Sequence, residues 1–394
     1  VRISLIIFYI LTVSFSFAQD LEVGLFRHKK IKQIDFAYLE GSYMIEADTA
    51  TFGAVLPNEF VSVRFLKDSM VNLKKGVRTL GTFRTVRLIP TGEDHAMRLR
   101  PRQPILKERK YRDGFTIFAG ESSLTIVNNV SFKHYLGGVI ESEGGGGKHL
   151  EYYKAQAVIS RTYALKHITR HAHEGFELCD QVHCQAYHNM LRFTDEITTA
   201  VNETRGIYMV DTVIHELVDG YFHANCGGQT SPSDYVWRED IPYLRSFKDT
   251  FCIHTRQATW TKKIPKSEWR NFIVDNYFYP ISDSAHNYKL YNFDQPDRKA
   301  FFISPHLGIP LRDIRYKFKL KSTYFSVKPE GNFVLLEGRG FGHGVGLCQE
   351  GAMNMAKSGL DYKQILKFYF DGIVFEHYFE LLYFNQPTPG LFDF

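Results

Sequence analysis

The order of apolar and polar positions divides this chain into a strand-like front and a mixed remainder. Between residues 19 and 122 the apolar stretches are short and bounded by Gly, Pro and Asn. Phe60-Val-Ser-Val-Arg-Phe-Leu and Thr85-Val-Arg-Leu-Ile-Pro are of this kind, as are Phe115-Thr-Ile-Phe and Leu124-Thr-Ile-Val-Asn-Asn-Val. Such runs predict β-strands, and Gly120-Glu-Ser-Ser predicts the turn of a hairpin. From residue 149 to 171 the period changes. Ala155, Val158, Ile159, Thr162, Leu165 and Ile168 recur at helical spacing. Further helices are expected over 195–204, from a Ser267 cap, at Ala352-Met-Asn-Met-Ala-Lys and over 360–370. Strands are expected at Ile207-Tyr-Met-Val, Leu217–Ala224 and Phe333-Val-Leu-Leu-Glu. Helices and strands are interspersed without a βαβ rhythm, which predicts an α+β architecture. Tyr135-Leu-Gly-Gly-Val-Ile-Glu-Ser-Glu143 reads as a strand delivering an acid to the flexible run Gly144–Gly147, just ahead of the long helix.

The first residues add a compartment. Arg2, an apolar run over Ile3–Phe15 and small residues at Ser16 and Ala18 predict a secretory signal peptide, residues 1–18, cut after Ala18, with an uncleaved anchor as the alternative. The expected divisions are therefore 1–18, a β-rich region 19–122 and a main domain 123–384. No later stretch is long and apolar enough to cross a bilayer. The protein is expected to be exported to the periplasm or cell envelope, not integral to the membrane after cleavage.

Lys and Arg exceed Asp and Glu by 48 to 43, a net charge of +5. No basic run is interleaved with aromatics, so a nucleic-acid partner is not expected. The 33 Phe and 23 Tyr suit either thick aromatic cores or a carbohydrate-facing surface. Five cysteines are too few for a disulfide scaffold.

Four stretches could carry chemistry. Glu143 is a candidate acid/base; a single carboxyl suffices when the substrate supplies its own nucleophile, provided the group is held protonated in a partly dry pocket. His173, Cys179, His183 and Cys184 offer thiolate and imidazole donors of the kind zinc takes; a Cys179–Cys184 disulfide and free thiols are the competing readings. His223-Ala-Asn-Cys226-Gly-Gly is either a cleft-lining turn or a structural one with Cys226 bonded to Cys252. Gly338-Arg-Gly-Phe-Gly-His343-Gly-Val-Gly would let a polymer lie against backbone beside one histidine.

Taken in order, several pieces resemble the stage II sporulation protein D / amidase-enhancer (SpoIID/LytB) family. They are Tyr135–Glu143, Lys154-Ala-Gln-Ala-Val-Ile-Ser-Arg-Thr-Tyr-Ala164, Cys184-Gln-Ala-Tyr187, Cys226-Gly-Gly-Gln-Thr230, Pro242-Tyr-Leu244, Gly340-Phe-Gly-His-Gly-Val-Gly346 and Gln349-Glu-Gly-Ala352. The resemblance covers residues 110–375. It implies a lytic transglycosylase that cuts between N-acetylmuramic acid and N-acetylglucosamine in peptide-stripped peptidoglycan strands, leaving 1,6-anhydro ends. Glu143, not Glu141, matches the family's essential acid. The resemblance also implies a zinc site at His173, Cys179, His183 and Cys184, and no organic cofactor. Lys154, Gln156, Arg161 and His343 are the expected glycan contacts. The family usually follows its acid with Met-Pro, where this chain has Gly144–Gly147. Two alternatives stand beside the enzyme: a non-catalytic glycan-binding module that stimulates a cell-wall amidase, and a zinc hydrolase, disfavoured because four protein donors would leave the metal no open position.

Overall fold

A computed structural model describes residues 20–92, 94–188, 194–237 and 239–377. The signal-peptide expectation, residues 1–18, lies outside them. The chain divides into two compact units, one built from residues up to 135 with 172–180, the other from 136–171 with 181 onward. The division falls after Tyr135 rather than at 122.

The first unit is β-rich, as its apolar alternation predicts. Strands Arg109–Arg112, Ala96–Gln103, Gln33–Glu40, Phe60–Phe65, Val71–Lys75 and Arg78–Phe83 form one antiparallel sheet in that order. A seven-stranded sheet runs Leu178–Cys179, Asp20–Leu25, Leu124–Ser131, Gly114–Ala119, Thr85–Pro90, Tyr43–Ala47 and Ala50–Val55. In it only Leu178–Cys179 pairs parallel, against Val23 and Gly24. Phe36 of the first sheet meets Phe115 of the second with ring centroids 5.3 Å apart. Ile34, Val61, Val63, Leu73, Ile45, Val86 and Ile117 are fully buried around them. The expected hairpin turn is present, closed by Gly120 N–H donating to Ser123 O.

Helix α1 spans Phe132–Gly144. This corrects the strand expected there. Ser131 Oγ accepts from His134 N–H at the start of α1, a capping contact that commits the chain to helix. Tyr135, Leu136, Val139 and Ile140 are then all buried, at helical rather than alternating spacing.

In the second unit α2, Leu150–Lys166, is the hub. Residues from Tyr152 to Ala164, Lys154 excepted, are buried, so the helix is covered nearly all round and carries no strong amphipathic stripe. It packs against α3 (Asp195–Glu203) and against strand Ile207–Asp211, which pairs with Ile373–His377. The long strand expected at Leu217–Ala224 is reduced to Phe222–His223, parallel to Leu347–Cys348.

A separate core in this unit surrounds Trp269 and includes Trp260, Phe293, Phe302, Phe325 and Leu336. It is built from strands Thr259–Pro265, Phe333–Arg339 and Phe325–Glu330 with helices α4 (Lys266–Tyr277), α5 (Ser284–Tyr291) and α6 (Leu311–Lys317). Helices α7 (Gln349–Lys357) and α8 (Tyr362–Tyr369) return to pack near α2. No helix of the described residues is long and apolar enough to cross a membrane.

Candidate functional site

Glu143 is one residue from the C-terminal end of α1. The helix stops because Gly145, at φ 68°, takes the left-handed conformation and returns its N–H to Glu141 O at 3.0 Å. The carboxyl is half-buried. Ala186 N–H donates to its Oε1 at 2.7 Å, and no Lys or Arg among the described residues forms a salt bridge with it. Burial raises its pKa above the usual carboxylate range, against the lowering effect of the Ala186 N–H. Its place in the last turn acts in the same direction as burial, since a helix C-terminus disfavours negative charge. Such a group can hold a proton for delivery and take one back.

The glycine run divides in two. A Cβ on Gly144 would meet Tyr152 Oη at 2.8 Å, whereas Gly146 has open space around it. Tyr152 is fully buried and its hydroxyl donates to Gln156 Oε1 at 3.4 Å, which also accepts from Gln349 Nε2 at 3.4 Å. A line of contacts therefore leads from the end of α1 through α2 to the first residue of α7, directly after the alternating glycines.

The expected glycan contacts fare differently. Gln156 is 0% exposed and belongs to this interior network, also donating to Ser160 Oγ. Arg161 is buried, donates to Ile207 O at 2.8 Å and has its pKa lowered to about 10 by desolvation. Lys154 Nζ lies 2.7 Å from both Glu151 and Glu203 carboxylates. Gln156 and Arg161 satisfy the interior because α2 is enclosed around them, whereas Lys154, outside that buried set, is held in ion pairs with Glu151 and Glu203.

His343 does lie at an aromatic surface. It is half-buried, 5.3 Å from the Trp237 ring, and Trp237 stacks on Tyr221 at 4.4 Å. Val345 N–H donates to His343 Nδ1, and desolvation lowers its pKa to about 4, so the imidazole is neutral at physiological pH. Trp237 is 36% exposed, a flat apolar face with a polar edge, suited to a sugar ring. Sequence reasoning missed Tyr221 and Trp237, since neither lies within a motif.

The donor set over 171–184 also differs from expectation. His171, His183 and Cys184, all of the second unit, place their ligand atoms within 4.8 Å of one another, and Cys179 belongs to the first unit. Cys184 Sγ lies 3.5 Å from His171 Nε2 and 3.8 Å from His183 Nδ1. His171 is 1% exposed. His173 is not in the set: it sits on a one-turn 3-10 helix, 76% exposed, with Nε2 3.6 Å from Glu174. One thiol and two imidazoles are donors that a thiophilic divalent ion takes, and no cysteine of the chain, all five being described, is joined in a disulfide.

Comparison with known proteins agrees with these features. A family model described as Stage II sporulation protein matches residues 120–210, the stretch that contains Glu143, α2 and the Cys/His donors. An uncharacterised protein of Brachyspira hyodysenteriae is 30% identical over 287 residues, covering 66% of this chain and 74% of that protein. Stage II sporulation protein D of Bacillus subtilis is 28% identical over 266 residues, 62% of this chain and 74% of its own length. The amidase enhancer of Bacillus subtilis is 26% identical over 297 residues, but only 40% of it is covered. The matching family model and the likeness to both named proteins make the chain a member of the SpoIID/LytB family.

Proposed function

We propose that this protein is an exported lytic transglycosylase that acts on peptide-stripped peptidoglycan strands in the periplasm or cell envelope. Glu143 is its acid and base. The protonated carboxyl gives its proton to the glycosidic oxygen as the bond from C1 of N-acetylmuramic acid breaks, and N-acetylglucosamine departs as an alcohol. The carboxylate then takes the proton of the muramic 6-hydroxyl while that oxygen bonds to C1. The 1,6-anhydro ring closes, the acid is restored and no water is consumed. The observation that carries this reading is the single half-buried carboxyl at a helix C-terminus, raised in pKa and held by one backbone N–H. Tyr221, Trp237 and His343 supply a surface on which a sugar can stack.

Zinc is assigned here to His171, His183 and Cys184, where, when bound, it would supply structural cross-linking. Cys184 stands two residues before Ala186, so fixing Cys184 fixes the N–H that orients Glu143.

A second reading, a glycan-binding enhancer of an amidase, is favoured by the likeness to the amidase enhancer and by Gly144–Gly147 in place of Met-Pro. One assay distinguishes the two. Peptide-free glycan strands are incubated with the protein and examined by mass spectrometry for anhydro ends. The wild type is expected to produce them and Glu143→Gln is not. No anhydro ends from the wild type, together with faster turnover by an added amidase, would overturn the enzymatic reading in favour of the second.

A further inference from the structure

The chemistry proposed above leaves one buried cluster unused. Cys226, Asp249, Cys252 and Cys348 bring three sulfurs and a carboxylate oxygen within 4.8 Å of one another, and all four residues are fully buried. Cys226 Sγ is 3.2 Å from Cys252 Sγ and 3.3 Å from Asp249 Oδ2. These residues come from three distant stretches: the Cys-Gly-Gly turn, the loop at 249–252 and the end of the glycine-rich loop.

Buried thiols alone need no ligand, because a neutral cysteine packs as a small hydrophobe. A carboxylate placed among them is different, since burying a charge without compensation is costly. A backbone donor is aimed at the cluster: Cys348, the N-cap residue of α7, accepts from Cys226 N–H at 3.3 Å. Asp249 is oriented by two donors, Tyr369 Oη to Oδ2 and Phe251 N–H to Oδ1, both at 2.9 Å. Such outer donors commonly fix a metal-binding carboxylate.

Arg298 adds a fixed positive charge. Its guanidinium is 5% exposed, Nη2 donates to Cys226 O at 2.7 Å, and Nη1 is buried without a hydrogen-bond partner. Gly351 packs closely on Asp249 and its donor: a Cβ there would clash with Tyr369 Oη and come within 2.8 Å of Asp249 Oδ2.

We propose that Cys226, Asp249, Cys252 and Cys348 are the ligands of a second metal site, a closed three-thiolate, one-carboxylate centre for a thiophilic divalent cation such as zinc. The ion replaces the protons of the three thiols, and its double charge together with Arg298 offsets most of the four negative donors. With every position filled by protein, the site is structural. It joins the turn at Cys226 to the segment that carries His343, and so fixes the glycine-rich loop from behind.

The test uses the exported full chain purified without chelator or reductant. Zinc is measured by mass spectrometry of the metal in the wild type, Cys184→Ser and Cys348→Ser. The expected result is that Cys184→Ser retains one equivalent and Cys348→Ser loses that same equivalent. Since Cys348→Ser could fail to fold, thiol alkylation with peptide mapping is carried out on the wild type. Cys226, Cys252 and Cys348 are expected to be reduced, unreactive in the folded holoprotein, and alkylated only after denaturant and chelator together. A Cys184→Ser variant free of zinc, or recovery of Cys226 and Cys252 as a linked disulfide peptide, overturns the proposal. The measurement does not depend on glycan cleavage, so it stands apart from the fate of the enzymatic reading.

Discussion

Replacing Gly144 by alanine sets two opposing effects against each other at the residue beside the acid. Alanine gains about 0.5–1 kcal/mol over glycine in a helix, from lower unfolded-state entropy and better propensity. Against this, the new methyl would stand 2.8 Å from Tyr152 Oη, 3.1 Å from Cε1 and 3.3 Å from Cζ. Tyr152 is 0% exposed, so its ring cannot swing into solvent. Overpacking of this kind costs about 1–3 kcal/mol. The clash wins, and Gly144→Ala is expected to lose about 1–2 kcal/mol. At about 2–4 °C per kcal/mol for a unit of this size, the melting transition falls by about 2–8 °C.

Two further variants make the reasoning specific. Gly146→Ala, with open space around it, is expected to be neutral or to gain a few tenths of a kcal/mol. Tyr152→Phe alone loses one hydrogen bond, about 0.5–1.5 kcal/mol. In the Gly144→Ala background it also removes the nearest clashing atom, so the double variant should be more stable than the sum of the single losses allows. Thermal and denaturant unfolding of all four proteins checks this, with the anhydro-end assay run alongside. If Gly144→Ala melts with the wild type and shows no coupling to Tyr152→Phe, the close packing of the helix end on Tyr152 is wrong.

Two other expectations follow. Glu143 is raised in the folded state, so folding binds a proton more tightly there; stability is present at low pH and declines as pH rises through the folded pKa. Glu143→Gln, which keeps an acceptor for Ala186 N–H, should match the wild type in acid and exceed it near neutrality. A constant difference across pH, read by denaturant unfolding, would refute this. His171→Ala should lose the metal held with Cys184 and broaden the environment of Ala186, whereas exposed His173→Ala should retain the metal and change stability by less than about 0.5 kcal/mol; metal analysis of the two decides between the histidines.

Much of the architecture could be read from local pattern. The long helix α2, the hairpin at Gly120 and the β-rich front were legible because their apolar spacing and turn residues agree with tertiary packing. Helix α1 was not, although Tyr135 and Val139, and Leu136 and Ile140, each lie four apart. Two glycines and a Val-Ile pair gave the stretch the composition of a strand, and the Ser131 cap outweighed it. Glu143 could be picked out by its setting before the glycines. Its supposed partners could not, because whether Gln156 and Arg161 face a groove or the interior depends on what encloses α2, and that is settled by α3 and α8 far along the chain. His171 and His173 differ only in which side of a turn they face, information that no motif carries.

The fold around Trp269 has a consequence of its own. Thr259 and Arg339 are paired opposite each other at the end of two adjacent strands, so the backbone of the intervening stretch leaves the rest of its unit and returns to it side by side. With a private core, such an excursion can lengthen, shrink or change its decoration among relatives while the host backbone stays where it is. Divergence should therefore concentrate between these two residues. One side of the excursion is held to its host: Arg298 bonds to Gln229 O and Cys226 O, Asp297 pairs with Lys248, Tyr324 Oη donates to Gln229 Oε1 and Lys321 O accepts from Gly342 N–H, so variation is expected away from that side.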